Sequence, residues 1–195
     1  MSRFSILLFL SLHSVSRSHG NLEGMSAFYD GMLHPVTQPV ALIAIVATAF
    51  FAGLRKKQMR LFEVCLVSMI PLTLILVKLE LVPELLKMLL LSGTVLSSVG
   101  LCLKRCLPES MMYMLLSCVL SLLGMYCNLD EGSVVLNFST HFGIMLTTIT
   151  VLSYGSIISR KLVEKGWTLA LQIIGSWMLV ISLLTILSAS LRGAN

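Results

Sequence analysis

The chain has 195 residues, of which 56% are hydrophobic and only 12% charged, with a formal net charge of +5. A soluble domain carries about a quarter charged residues, so half that fraction, arranged as long apolar runs, excludes a water-soluble globule and a disordered chain. It also excludes nucleic acid as a partner, because the 14 Lys and Arg residues sit in short loops between apolar runs rather than on one phosphate-facing patch. The partner that remains is the lipid bilayer, and the expected fold class is an all-α polytopic membrane protein.

At the N-terminus, Arg3 precedes the apolar stretch Phe4–Leu12, and a polar segment, His13–Ser18, follows. Nine residues are too few to span a bilayer; a basic start, a short apolar middle and small residues at the end are the layout of a secretory signal peptide. Ser16 and Ser18 supply the small residues, so residues 1–18 are expected to be cleaved, leaving His19 as the mature N-terminus. Loss of Arg3 and Arg17 lowers the net charge from +5 to +3. Residues 19–195 then form a single transmembrane domain.

Spanning the hydrocarbon core takes about 20 helical residues. Six runs qualify in chain order: Val36–Leu54, Leu61–Val77, Glu84–Leu103, Ser110–Cys127, Ser133–Ile158 and Trp167–Leu191. Pro39, Pro83 and Pro108 stand near the first turn of a run, where a missing N–H costs little. Ser133, after Asp130-Glu131-Gly132, reads as an N-cap, and Pro71 should kink the second run. Ser92, Gly93, Ser97, Ser98 and Gly100 give the third run a small-residue face, and Ser117, Ser121 and Gly124 do the same for the fourth; such faces let helix backbones approach closely.

Loop charges orient these spans. With the mature N-terminus outside, the inner loops 55–60, 104–109 and 159–166 hold nine basic residues, whereas the outer side keeps Lys78, Lys87 and Arg192. The outer side also holds Glu23, Asp30, Glu80, Glu84, Asp130 and Glu131. The positive-inside rule selects this arrangement, with both ends of the mature chain outside and a bacterial inner-membrane location. The five cysteines show no Cys-x-x-Cys spacing and read as small apolar fillers.

Without a soluble domain, chemistry must come from polar groups at or within the membrane. His19, His34 and His141 all fall on the outer side of this topology, with His141 about two turns into the fifth run. An N-terminal His chelates a transition metal through its amine and imidazole together, and neutral imidazole suits Ni, Cu, Zn and Fe. Asn137, His141, Met145 and Thr148 recur at helical spacing, which places them on one stripe of the fifth helix. Polar side chains at membrane depth are expensive to bury and are functional candidates for that reason. The other readings of these histidines are structural: a hydrogen bond to a neighbouring Ser or carbonyl for His141, and an interfacial anchor for His34.

From His19 through Gly53 the chain reads HGNLEGMSAFYDGMLHPVTQPVALIAIVATAFFAG. This resembles the start of the HupE/UreJ family, membrane proteins associated with nickel hydrogenases and ureases and regarded as nickel permeases. The resemblance rests on His19-Gly20, on Gly31-Met32-Leu33-His34-Pro35-Val36, and on the Ala/Gly-rich helix that ends at Gly53. Six helices with both ends outside also fit that family over the mature chain. Where the family motif has Asp-His, this chain has Val40-Ala41, and Gln38 followed by Pro39 stands at the motif's glycine. The resemblance therefore carries His34 over as a metal ligand, with His19 as a second.

The expected function is a membrane permease for a divalent transition-metal ion, nickel or cobalt, of the hydrogenase/urease accessory type. His34, His19 and His141 would be its metal ligands, with Asn137, Met145 and Thr148 along the path. No permanently bound cofactor is expected. The alternative is a non-transporting accessory protein that contacts metalloenzyme maturation proteins through the basic loop Arg55–Arg60. An enzyme is not expected: no Gly-x-Ser nucleophile occurs in the apolar runs, and paired intramembrane acids are lacking.

Overall fold

The computed structural model describes residues 27–54, 83–103, 107–127, 129–130, 133–134 and 138–193. The expected signal peptide, His19, the second span with Pro71, the basic loops 55–60 and 104–106, and Asn137 lie outside the described residues. Six helices account for nearly all of the described residues: α1 (Ala27–Thr37), α2 (Pro39–Gly53), α3 (Pro83–Leu103), α4 (Glu109–Tyr126), α5 (Phe138–Glu164) and α6 (Thr168–Gly193). A hairpin of two-residue strands, β1 (Leu129–Asp130) and β2 (Ser133–Val134), joins α4 to α5. By length and composition α3, α5 and α6 can each cross a membrane. A fourth span is counted if α1 and α2 are taken as one broken span, and α4 is a shorter apolar helix.

Helix starts follow the proline positions. Pro39 and Pro83 are the first residues of α2 and α3, and Pro108 is the N-cap of α4. The first expected span, 36–54, is corrected: the helix begins nine residues earlier, at Ala27, and breaks at Gln38 with a 74° bend between α1 and α2. Pro35 and Pro39 lie four residues apart, and each removes one backbone donor from the i→i−4 ladder. Two such losses within one turn release the chain, and Gln38 adopts an extended ψ of 113°.

Two boundaries of the fifth span also move. Ser133 does not cap a helix; it pairs with Asp130 in the hairpin, Leu129 opposes Val134, and α5 starts at Phe138. An acidic residue followed by Gly is a hairpin-turn signal as much as a helix start, and the local sequence does not choose between them. At the other end α5 continues past Ile158 to Glu164, through most of the expected loop 159–166. It closes in a Schellman motif, in which the Trp167 N–H donates to the Leu162 carbonyl (2.8 Å) and the Gly166 N–H to the Val163 carbonyl (3.0 Å). Gly166 takes the φ of +77° that this motif requires and that a Cβ would oppose.

Helix directions follow from the contacts. A Cβ on Gly31 would meet the Thr140 backbone, one on Gly155 the Ala49 side chain, and one on Gly53 the Ser156 carbonyl. These contacts rise together along both chains, so α2 runs the same way as α5, while α1, bent 74° from α2, crosses the start of α5. α3 runs with α2 as well, because the Phe51 ring lies over Gly100 near both C-terminal ends. α6 packs against α3 in the opposite sense, with Gly175 against Leu101 and the Gln172 amide donating to the Cys102 carbonyl (2.9 Å). The expected small-residue faces are used in this packing: Gly93 sits under Val119 of α4, and Ser97, Ser98 and Ser121 are fully buried.

The core sits where α2, α3, α4 and α5 meet. Ala41, Ala44, Ile45, Leu86, Leu90, Leu120, Leu123, Ile144 and Leu152 fill it, and Phe51, Leu101, Met112 and Leu116 form a second cluster toward the C-terminal end of α2.

Candidate metal-capture site

The candidate residues gather at the end of the bundle where α1 crosses the start of α5. Glycine makes that crossing possible. Gly31 has no room for a Cβ against the Thr140 backbone, and a Cβ on Gly143 would strike the Phe28 carbonyl and the Met32 nitrogen. With the two backbones in contact, the Thr147 hydroxyl reaches across and donates to the Met32 carbonyl (2.8 Å). Phe28 and Phe142 stack at 6.0 Å on the rim.

His34 lies one turn beyond Gly31, in the last turn of α1, and is half-buried. His141 follows Thr140 directly and is 8% exposed. It stands in the first turn of α5 rather than two turns in, because the helix starts at Phe138 and not at Ser133. The expected stripe then continues inward. Met145 and Thr148 are both buried, about 6 and 10 Å further along the axis at 1.5 Å per residue. The Thr148 hydroxyl donates to the Ile144 carbonyl of its own helix (2.7 Å), and Met145 belongs to the apolar core. The structure thus brings His34 and His141 to one end and sets Met145 and Thr148 below them.

Gln38 was not among the residues selected from the sequence. Its Nε2 lies 2.7 Å from Nε2 of His34, and its backbone N–H donates to the His34 carbonyl (3.1 Å). The signal available beforehand was a polar side chain four residues after His34 and directly before Pro39. What the sequence does not reveal is that this side chain turns back toward α1.

Charge separates the two ends of the bundle. Asp30 and Glu84 stand in the first turns of α1 and α3, and Asp130 in the hairpin, at the histidine end. Arg160, Lys161 and Lys165 stand at the opposite end of α5, beside Glu164. Lys87 and Arg192 stand at this end as well, so acids exceed bases there by one among the described residues, and an excess of acidic charge attracts cations. Among the described residues no group of three or more His, Cys, Asp or Glu side chains converges on one point.

The family model described as HupE / UreJ protein matches residues 7–185. No curated protein and no solved structure matches the chain.

Proposed function

The chain belongs to the HupE/UreJ family, which is associated with nickel and cobalt transport for hydrogenase and urease, and on that premise we propose that it is a membrane permease for a divalent nickel or cobalt ion. The observation that carries the reading is the crossing of α1 and α5 beside the break at Gln38, which sets His34 one turn after Gly31 and His141 next to Thr140, the two residues whose backbones meet. Broken helices next to polar side chains are how membrane transporters present ion sites within the bilayer. The acids at the same end would draw the cation in, and neutral imidazoles would accept it without burying an anion.

In this proposal the histidine end faces outward and the end bearing Arg160, Lys161 and Lys165 faces the cytoplasm, as the positive-inside rule requires. Six spans, a cleaved leader and a bacterial inner-membrane location complete the reading. His19 would join His34 as a ligand, and Asn137, Met145 and Thr148 would flank the path below. Neither a resident cofactor nor catalysis is part of it.

Nickel and cobalt accumulation in cells lacking other importers tests the reading. Expression of the chain should raise uptake, and His34→Ala should return it to the background of the empty strain while the protein stays in the membrane. Uptake unchanged by His34→Ala would remove the capture site. A chain that never raises uptake but co-purifies a metalloenzyme maturation protein would favour the accessory role instead.

A further inference from the structure

Gln38 occupies the N-cap position of α2, yet its side chain makes no capping hydrogen bond. An N-cap side chain ordinarily turns forward to accept from the first free N–H groups of its helix. Here it turns backward, and its amide nitrogen lies against Nε2 of His34 at 2.7 Å. That geometry leaves the amide oxygen, Oε1, buried with no hydrogen-bond partner. Pro39, next in the chain, has no N–H to offer it. The two ends of one amide are therefore unequally served: one is held on an imidazole nitrogen and the other is buried and unmatched.

We propose that Gln38 is a ligand of the transported cation, its amide oxygen and Nε2 of His34 forming a paired nitrogen–oxygen site at the break between α1 and α2. This rests on the permease reading above and assigns a second ligand to the same capture site. In the empty site the amide N–H donates to the lone pair of a neutral His34. When a divalent cation arrives it takes that lone pair in place of the amide proton. Rotation of the terminal amide then brings Oε1 toward the ion and relieves its burial without a partner. No bond is broken and no proton leaves the protein.

The spacing suits this exchange. Two ligands of one ion at 2.0–2.2 Å each stand about 3 Å apart, so the amide and imidazole need separate by only a few tenths of an ångström. Imidazole nitrogen with amide and water oxygens is a ligand set that six-coordinate cobalt and nickel accept. A neutral pair completed by water also holds the ion weakly enough to release it, which conduction demands.

The test uses the full chain in lipid nanodiscs with cobalt(II) alone as the probe, its affinity read by calorimetry and its coordination by visible absorption, with circular dichroism to verify the fold. Gln38→Leu is expected to weaken cobalt binding by about tenfold or more and to alter the absorption bands. Gln38→Glu, which keeps the side-chain length and adds charge, is expected to tighten binding by a similar factor, and it decides the matter if Gln38→Leu fails to fold. Cobalt affinity unchanged or improved in Gln38→Leu, with binding lost in His34→Ala, would overturn the role of Gln38 and leave the capture site standing. Unchanged or weaker binding in Gln38→Glu would also overturn it. Cobalt affinity unaffected by both His34→Ala and Gln38→Leu would overturn the capture site together with its second ligand.

Discussion

The two longest helices, α5 and α6, are joined by a single tight turn and are nearly equal in length, 27 and 26 residues, but they are built for different surroundings. The most apolar window of α5 has a mean hydropathy of 1.5 and is 50% buried; that of α6 has 2.1 and is only 17% buried. In water the more apolar helix would be the buried one. Here the order is reversed, as it should be where lipid is the solvent and helices associate through small and polar residues. The buried face of α5 carries Gly143, Thr148, Gly155, Ser156 and Ser159, whereas α6 turns Ile173, Trp177, Val180, Leu184 and Leu187 outward. One helix holds the broken helix in place; the other leaves most of its apolar surface uncovered, as a helix in lipid would.

The sharpest way to break this contrast is to fill the crossing. Gly143→Leu places a side chain where the Phe28 and Met32 backbones lie, and overpacking of this kind costs about 1–3 kcal/mol. At about 2–4 °C per kcal/mol for a chain of this size, the melting temperature in detergent should fall by roughly 2–12 °C. An unchanged midpoint would mean that α1 and α5 are not in contact.

A smaller effect is expected from the two hydroxyls that stitch α5 to its neighbours, Thr147 to the Met32 carbonyl and Ser159 to the Phe50 carbonyl (2.7 Å). Interhelical hydrogen bonds in membrane proteins average about 0.6 kcal/mol each, so Thr147→Val combined with Ser159→Ala should cost about 1 kcal/mol, seen as a few degrees in the same melt. Thr148→Val, which removes a bond within α5 only, serves as the control. The smallest effect belongs to α6: Trp177→Leu, at a side chain 67% exposed, should stay within about 0.5 kcal/mol of the native chain. A loss as large as that of Gly143→Leu would show that α6 faces a protein surface instead of lipid.

Much of this architecture was legible in the sequence. The runs 84–103, 110–127 and 167–191 agree with α3, α4 and α6 to within two residues, because each is uninterrupted and the first two open at a proline. Of the first span, α2 was legible and α1 was not. Ala27–Thr37 mixes Tyr29, Asp30, His34 and Pro35 with apolar residues, so no uninterrupted apolar run marks it in the sequence. The candidate site divides in the same way. His34 and His141 could be chosen by residue type and side, and the packing of Gly31 on Thr140 brings them to one end. Gln38 could not be chosen, since only the bend at Pro39 and the position of α1 decide whether its amide turns forward to cap α2 or backward to His34.

The most direct measurement is metal flux through the purified chain in proteoliposomes, with nickel or cobalt outside and a metal-quenched dye inside. Quenching faster than in protein-free vesicles is expected from the native chain, an equal rate from Trp177→Leu, and the protein-free rate from His34→Ala. A native chain that moves no metal, or a His34→Ala variant that moves as much as the native chain, would contradict capture at the broken helix.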